Sequence, residues 1–108
     1  MKILVTGAAG YIGGRMVESL CEKSWVEKVV GIDVNKPVYH HPKYVFKNRD
    51  VREPMDDIFK TYAIDTVIHM AYILTPIHSK KVMEDINMGG TRNVLAASVK
   101  AGVKQIGY

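Results

Sequence analysis

At 108 residues, 47% of them hydrophobic and 24% charged, the chain reads as one soluble globular domain with no room for a second substrate-binding domain. The formal charge of +4 comes from basic residues scattered singly or in pairs such as Lys80-Lys81, a pattern that argues against a nucleic-acid arm or a membrane patch. One cysteine, Cys21, excludes an internal disulfide and a cysteine-rich zinc site, and its place on an apolar helix face reads as a buried structural thiol.

Residues 2–6 read as a first strand, short and apolar enough to be covered on both faces. No targeting segment precedes it, so a cytoplasmic location is the expectation. Gly7-Ala8-Ala9-Gly10-Tyr11-Ile12-Gly13-Gly14 follows at once. From Tyr11 to about Lys23, Ile12, Met16, Val17, Leu20 and Cys21 recur at helical spacing. Residues 27–33 form strand two, which ends in Asp33, and after a loop holding Pro37 and Pro42 residues 43–47 form strand three.

Pro54 suits the first turn of a short helix carrying Met55, Ile58, Phe59 and Tyr62. Residues 65–71 are strand four. Pro76 breaks the loop that follows, Ser79 is placed to cap a long helix reaching about Ala101, and Gly102 fits its C-terminal cap. Val103 to Tyr108 begin strand five. The stretch from Val67 to Leu74 is too short to span a bilayer.

Strands alternating with helices imply an α/β fold, a Rossmann-type doubly wound parallel sheet of about five strands in the order 3-2-1-4-5. Residues 1–108 form one dinucleotide-binding domain in this reading. The crevice between strands one and four receives both Gly7–Gly13 and Met70–Tyr72, and is the expected ligand site. Gly7, Gly10 and Gly13 let the backbone turn tightly and approach a pyrophosphate, while the amides of Tyr11 and Ile12 at the helix N-terminus face the anion. Asp33, at the end of strand two, can accept hydrogen bonds from both hydroxyls of an adenosine ribose. Its charge would repel a 2′-phosphate, which favours NAD over NADP.

Other candidates carry less. Tyr39-His40-His41-Pro42-Lys43 has a Tyr-x-x-x-Lys spacing, but Pro42 prevents the helix that would bring both side chains to one face. His40 and His41 have no Cys or acid cluster beside them, so no metal site is expected. His69 emerges from a buried strand and reads as a satisfied core histidine ahead of a catalytic one.

Thr6-Gly7-Ala8-Ala9-Gly10-Tyr11-Ile12-Gly13 resembles the TGxxGxxG fingerprint of the extended short-chain dehydrogenase/reductases, the group of NAD-dependent nucleotide-sugar epimerases and dehydratases. The resemblance continues through Asp33, Asp50-Val51, His69-Met70-Ala71 and the run from Asn87 to Leu95. It covers essentially the whole chain, but only the first half or less of a complete family member.

The resemblance implies NAD as cofactor, with Asp50 and Val51 bracketing the adenine; a plain turn acid remains the other reading of Asp50. It also implies that Met70, Ala71 and Tyr72 line the nicotinamide-side ribose, although Tyr72 stands where the family usually has a smaller residue. Asn87 steadies the region below the active site by a hydrogen bond, while Gly89 and Gly90 fit close packing of their helix on the sheet. The family's Ser/Thr and Tyr-x-x-x-Lys fall beyond Tyr108, so no catalytic residue is expected within the chain. Cofactor binding without turnover is the expectation, in a portion of a longer oxidoreductase acting on a small molecule such as a nucleotide sugar. The alternative is a standalone nucleotide-binding or interaction module. A homo-oligomer is expected through the long helix, with Val82, Ile86, Val94 or Leu95 partly uncovered, or through the edge of strand five.

Overall fold

Alternation of apolar side chains along three short strands builds two cores, one on each face of a single sheet. The computed structural model describes residues 1–71 and 80–107. Its elements are β1 (Lys2–Thr6), α1 (Tyr11–Cys21), β2 (Lys28–Asp33), β3 (Tyr44–Asn48), α2 (Asp56–Tyr62), β4 (Thr66–His69), α3 (Lys80–Glu84), a π-helical turn (Asp85–Gly89), α4 (Gly90–Ala101) and β5 (Gln105–Gly107). All four strand pairings are parallel, and the order is β3-β2-β1-β4-β5. This is the doubly wound sheet expected from the sequence.

Ile3, Val5 and Val29 point to the face that α1 covers with Val17, Leu20 and Cys21. Leu4, Val30, Ile32 and Val67 point to the other face, where α2 and α4 bring Ile58, Phe59, Val94 and Ala97. Period-two alternation in β1 therefore serves both layers at once. Cys21 is buried, and burial pushes its thiol pKa up, in keeping with a packing role.

The element bounds differ from the sequence reading in instructive places. Pro54 precedes α2 instead of sitting in its first turn. The long helix is interrupted by the π turn at Asp85–Gly89. Gly90 lies against Val51, where a Cβ would come within 2.5 Å of the valine Cγ2, so the glycine is there for close packing. Val94 is not uncovered as expected but fully buried, whereas Val82 is exposed. Gly90 and Val94 lie one turn apart on the face of α4 that packs on the sheet, so Val94 joins the core with Leu4 and Val67. Ser79, the expected cap, lies outside the described residues.

Helices α2 and α4 end in the same way. Gly102 takes φ +71° after α4, with Val103 N–H donating to the Ser98 carbonyl at 3.2 Å. Ala63 takes φ +50° after α2, with Ile64 N–H donating to the Phe59 carbonyl at 3.2 Å. Only the second has a Cβ to accommodate in the left-handed region. Ala63→Gly is accordingly expected to stabilise the chain by about 0.5–1 kcal/mol. A urea unfolding midpoint that moves down would contradict this.

Candidate functional site

Beyond β1 the chain must reverse into α1 within four residues, and the glycines make that possible. Gly7 adopts φ +67°, and a Cβ there would lie 2.9 Å from the Met70 carbonyl and the Ala71 nitrogen. Gly10 N–H donates to the Gly7 carbonyl at 3.1 Å. A Cβ on Gly13 would run into that same carbonyl. The start of α1 is thus folded tightly back over the end of β1.

Gly10, the N-cap of α1, has no side chain with which to cap it. Gly14 N–H reaches the Gly10 carbonyl at 2.8 Å, but the N–H groups of Tyr11, Ile12 and Gly13 have no acceptor among the described residues. Tyr11 and Ile12 are 79% and 61% exposed, so this positive helix end opens to solvent. The Arg15 guanidinium lies 5.5 Å from the Tyr11 ring centroid.

Asp33 sits beside the loop. Its Oδ2 accepts the Ala9 N–H at 3.0 Å and its Oδ1 accepts the Asn35 N–H at 2.9 Å. Asn48 Nδ2 donates to the carbonyls of Asp33 and Val34, fixing the end of β2. Each carboxylate oxygen keeps a further acceptor position, so the residue that braces the loop can still receive hydroxyl donors.

Asp50 is turned onto Arg52. Its Oδ1 accepts from Arg52 N–H at 2.8 Å and Nε at 3.0 Å, and its Oδ2 from the guanidinium at 2.8 Å. Arg52 also reaches Asp85 Oδ2 at 2.6 Å, linking this loop to the π turn. The side-chain bond from Arg52 holds the Asp50 carboxyl below the usual carboxylate range. Val51 is buried, its carbonyl accepts from Asn93 Nδ2 at 2.8 Å, and its N–H has no acceptor among the described residues.

Met70 and Ala71 close the crevice floor against Gly7, and both donate their N–H to Thr6 Oγ1. Tyr72 lies outside the described residues. Asn87 is buried in the π turn, where its carbonyl accepts the Thr91 hydroxyl. In the Tyr39–Lys43 segment, Lys43 Nζ donates to the Lys23 carbonyl and His41 Nδ1 accepts the Lys43 N–H, so neither joins the site. No group of three or more His, Cys, Asp or Glu among the described residues could hold a metal ion.

Several contributors escaped the sequence reading. Thr6 is a hydroxyl in an otherwise apolar strand, Thr91 stands four residues beyond Asn87, and Arg52 stands two beyond Asp50; these spacings were the available signals. Tyr44 gave none. Its ring crosses from β3 over Gly31 to Ala8 and lines a cavity of about 390 Å³ together with Ala9, Gly10 and Tyr39. Its buried hydroxyl has no hydrogen-bond partner among the described residues. Burial, then the charge of Asp33, pushes its pKa up to about 12.

Comparison with known proteins bears on this geometry. The model of the NAD dependent epimerase/dehydratase family matches residues 3–108. An uncharacterised epimerase/dehydratase of Staphylococcus epidermidis is 36% identical over 109 residues, covering 95% of this chain and 34% of that protein. The UDP-glucose 4-epimerase of Thermotoga maritima, solved with UDP-glucose, superposes with a TM-score of 0.86 at 27% identity, over 98% of this chain and 36% of that one. An enzyme of Bordetella bronchiseptica solved with NAD+ gives 0.85 at 26% identity, over 97% and 37%. The chain therefore spans about a third of the length of the relatives it matches.

The unpartnered Tyr44 hydroxyl sets a test of the site's packing. Tyr44→Phe keeps the ring and removes a buried group that lacks a partner, so stability should rise by about 1 kcal/mol. Loss of stability on thermal unfolding would mean that the hydroxyl has a partner in solution.

Proposed function

The chain belongs to the NAD-dependent epimerase/dehydratase family, and from that premise we propose that residues 1–108 are the NAD-binding domain of an oxidoreductase acting on a hydroxyl-bearing small molecule such as a nucleotide sugar. The observation that carries this reading is the run of three N–H groups, Tyr11 to Gly13, without acceptors at an exposed helix end, beside the carboxylate of Asp33. The cradle is one that a Cβ at Gly7 or Gly13 would fill. These residues fit a dinucleotide.

In this reading Gly7, Gly10 and Gly13 let the pyrophosphate approach the α1 amides, and the helix end neutralises part of its charge. Asp33 receives the two hydroxyls of the adenosine ribose. Val51 N–H and the remaining acceptor positions of Asp50 meet the adenine edge. Met70, Ala71 and Tyr72 border the nicotinamide-side ribose, and Asn87 supports them from the π turn. The nicotinamide, when bound, exchanges a hydride with the substrate. The groups that move the hydroxyl proton lie outside residues 1–108, so the chain alone binds cofactor without turnover.

No helix among the described residues is long and apolar enough to cross a membrane; a cytoplasmic setting and a homo-oligomer belong to the same proposal.

Asp33→Asn separates the two duties of that residue. An amide oxygen can still accept the Ala9 N–H, but the charge and one acceptor are gone. Calorimetry should find NAD bound about tenfold more weakly or worse, while inorganic pyrophosphate loses much less. The wild-type chain should also prefer NAD to NADP. Equal losses for both ligands would remove Asp33 from the ribose, and absence of NAD binding to the wild type at millimolar concentration would remove the function.

A further inference from the structure

One chain of hydrogen bonds crosses from β1 through β4 to α4, and every proton in it can be assigned. Thr6 Oγ1 accepts N–H from Met70 at 3.0 Å, a donor shared with the Thr6 carbonyl at 3.2 Å, and from Ala71 at 3.1 Å. A hydroxyl has two acceptor positions and one proton. Both acceptor positions are taken, so the proton must go to His69 Nδ1, 2.7 Å away. The imidazole then carries its own proton on Nε2, which points to Thr91 Oγ1 at 2.9 Å. Thr91 in turn donates to the Asn87 carbonyl. The arrangement admits one tautomer of a neutral ring.

We propose that His69 is a positioning residue for cofactor binding: as the Nε2–H tautomer it fixes the Thr6 hydroxyl so that Thr6 holds the Met70–Ala71 backbone against Gly7, and protonation of the ring releases the Ala71 N–H. This rests on the NAD-binding reading above. A proton on Nδ1 would aim a third donor at Thr6 Oγ1, and one of the three has to leave. The Ala71 N–H gives way, because Ala71 lies beyond the end of β4 and has no other acceptor among the described residues, whereas Met70 N–H is also held by the Thr6 carbonyl at 3.2 Å and His69 is fixed within β4.

The groups facing His69 are hydroxyls, Thr6 on β1 and Thr91 on α4. Burial alone lowers its pKa, and no charged side chain among the described residues contributes. The sign follows. A folded-state pKa below the ordinary value of about 6.5 means that the neutral ring is favoured at pH 7–8. Stability is then fully present above about pH 6.5 and declines as the pH falls towards the folded-state value, and NAD affinity declines once the folded ring itself takes a proton.

The test uses the full chain. NAD dissociation constants are measured calorimetrically from pH 8 to pH 5 for the wild type, His69→Asn and His69→Leu, and imidazole ¹⁵N shifts are recorded for the wild type. Asparagine places an oxygen near the Nδ1 position and cannot be protonated. The wild type should lose affinity over the same pH interval in which its imidazole ¹⁵N shifts report protonation of His69. His69→Asn should stay within about fivefold of the wild type at pH 8 and keep that affinity to pH 5, whereas His69→Leu should be weak throughout. His40 and His41 remain in all three proteins, so only the difference in slope reports on His69. An unchanged slope in His69→Asn overturns the proposal while leaving NAD binding intact; no NAD binding by the wild type at pH 8 overturns both. The ¹⁵N shifts need no variant to fold: a proton on Nδ1 at pH 8 also overturns it.

Discussion

Backbone pressed on backbone around Gly7 is the constraint on which the rest of the site depends. The end of β1, the first turn of α1 and the exit of β4 meet where a single Cβ would lie 2.9 Å from main-chain atoms. Because no side chain intervenes, the amide end of α1 stands directly over the junction of β1 and β4. The same closeness lets Thr6, one residue earlier, reach the next strand with a hydroxyl instead of burying an apolar group. A larger residue at position 7 would separate the exposed α1 amides from the Met70–Ala71 wall, and the crevice would lose two sides at once.

Features with local causes were legible in the sequence. The alternation of Ile3, Leu4 and Val5 needs only the period of a strand to place a core on each face. The glycine spacing needs only the geometry of a strand-to-helix turn. Asp33 was legible by position, but its bond to Ala9 N–H was not, since that depends on how far the loop folds back towards β2.

Non-local features were hidden for the same reason. The bridge from Arg52 to Asp85 joins residues 33 positions apart. Tyr44 occupies space left by Gly31 on the neighbouring strand and by Ala8 beyond it, and no periodicity reports such a vacancy. Val94 shows the same limit: its expected exposure rested on the absence of a neighbouring helix, whereas the side chain packs with Leu4, Phe59 and Val67 in the core on its own face of the sheet.

The charges around the site are held in place by ion pairs and backbone bonds, so on the proposed reading little has to move for an anion to bind. Asp50 is already matched by Arg52, which is itself shared with Asp85. The Asp33 carboxylate is steadied by two backbone N–H groups, so it projects negative charge to one side of the loop. The α1 amides project partial positive charge on the other side. A ligand with a diphosphate next to a sugar diol meets both signs in the right order, with donors and acceptors held by main-chain bonds instead of long side chains. On the proposed reading such an arrangement discriminates by position more than by net charge, and would give a chain whose basic residues are scattered a defined anion site. His69 fits the same economy: being neutral, it organises the crevice wall without adding a charge that the phosphates would feel.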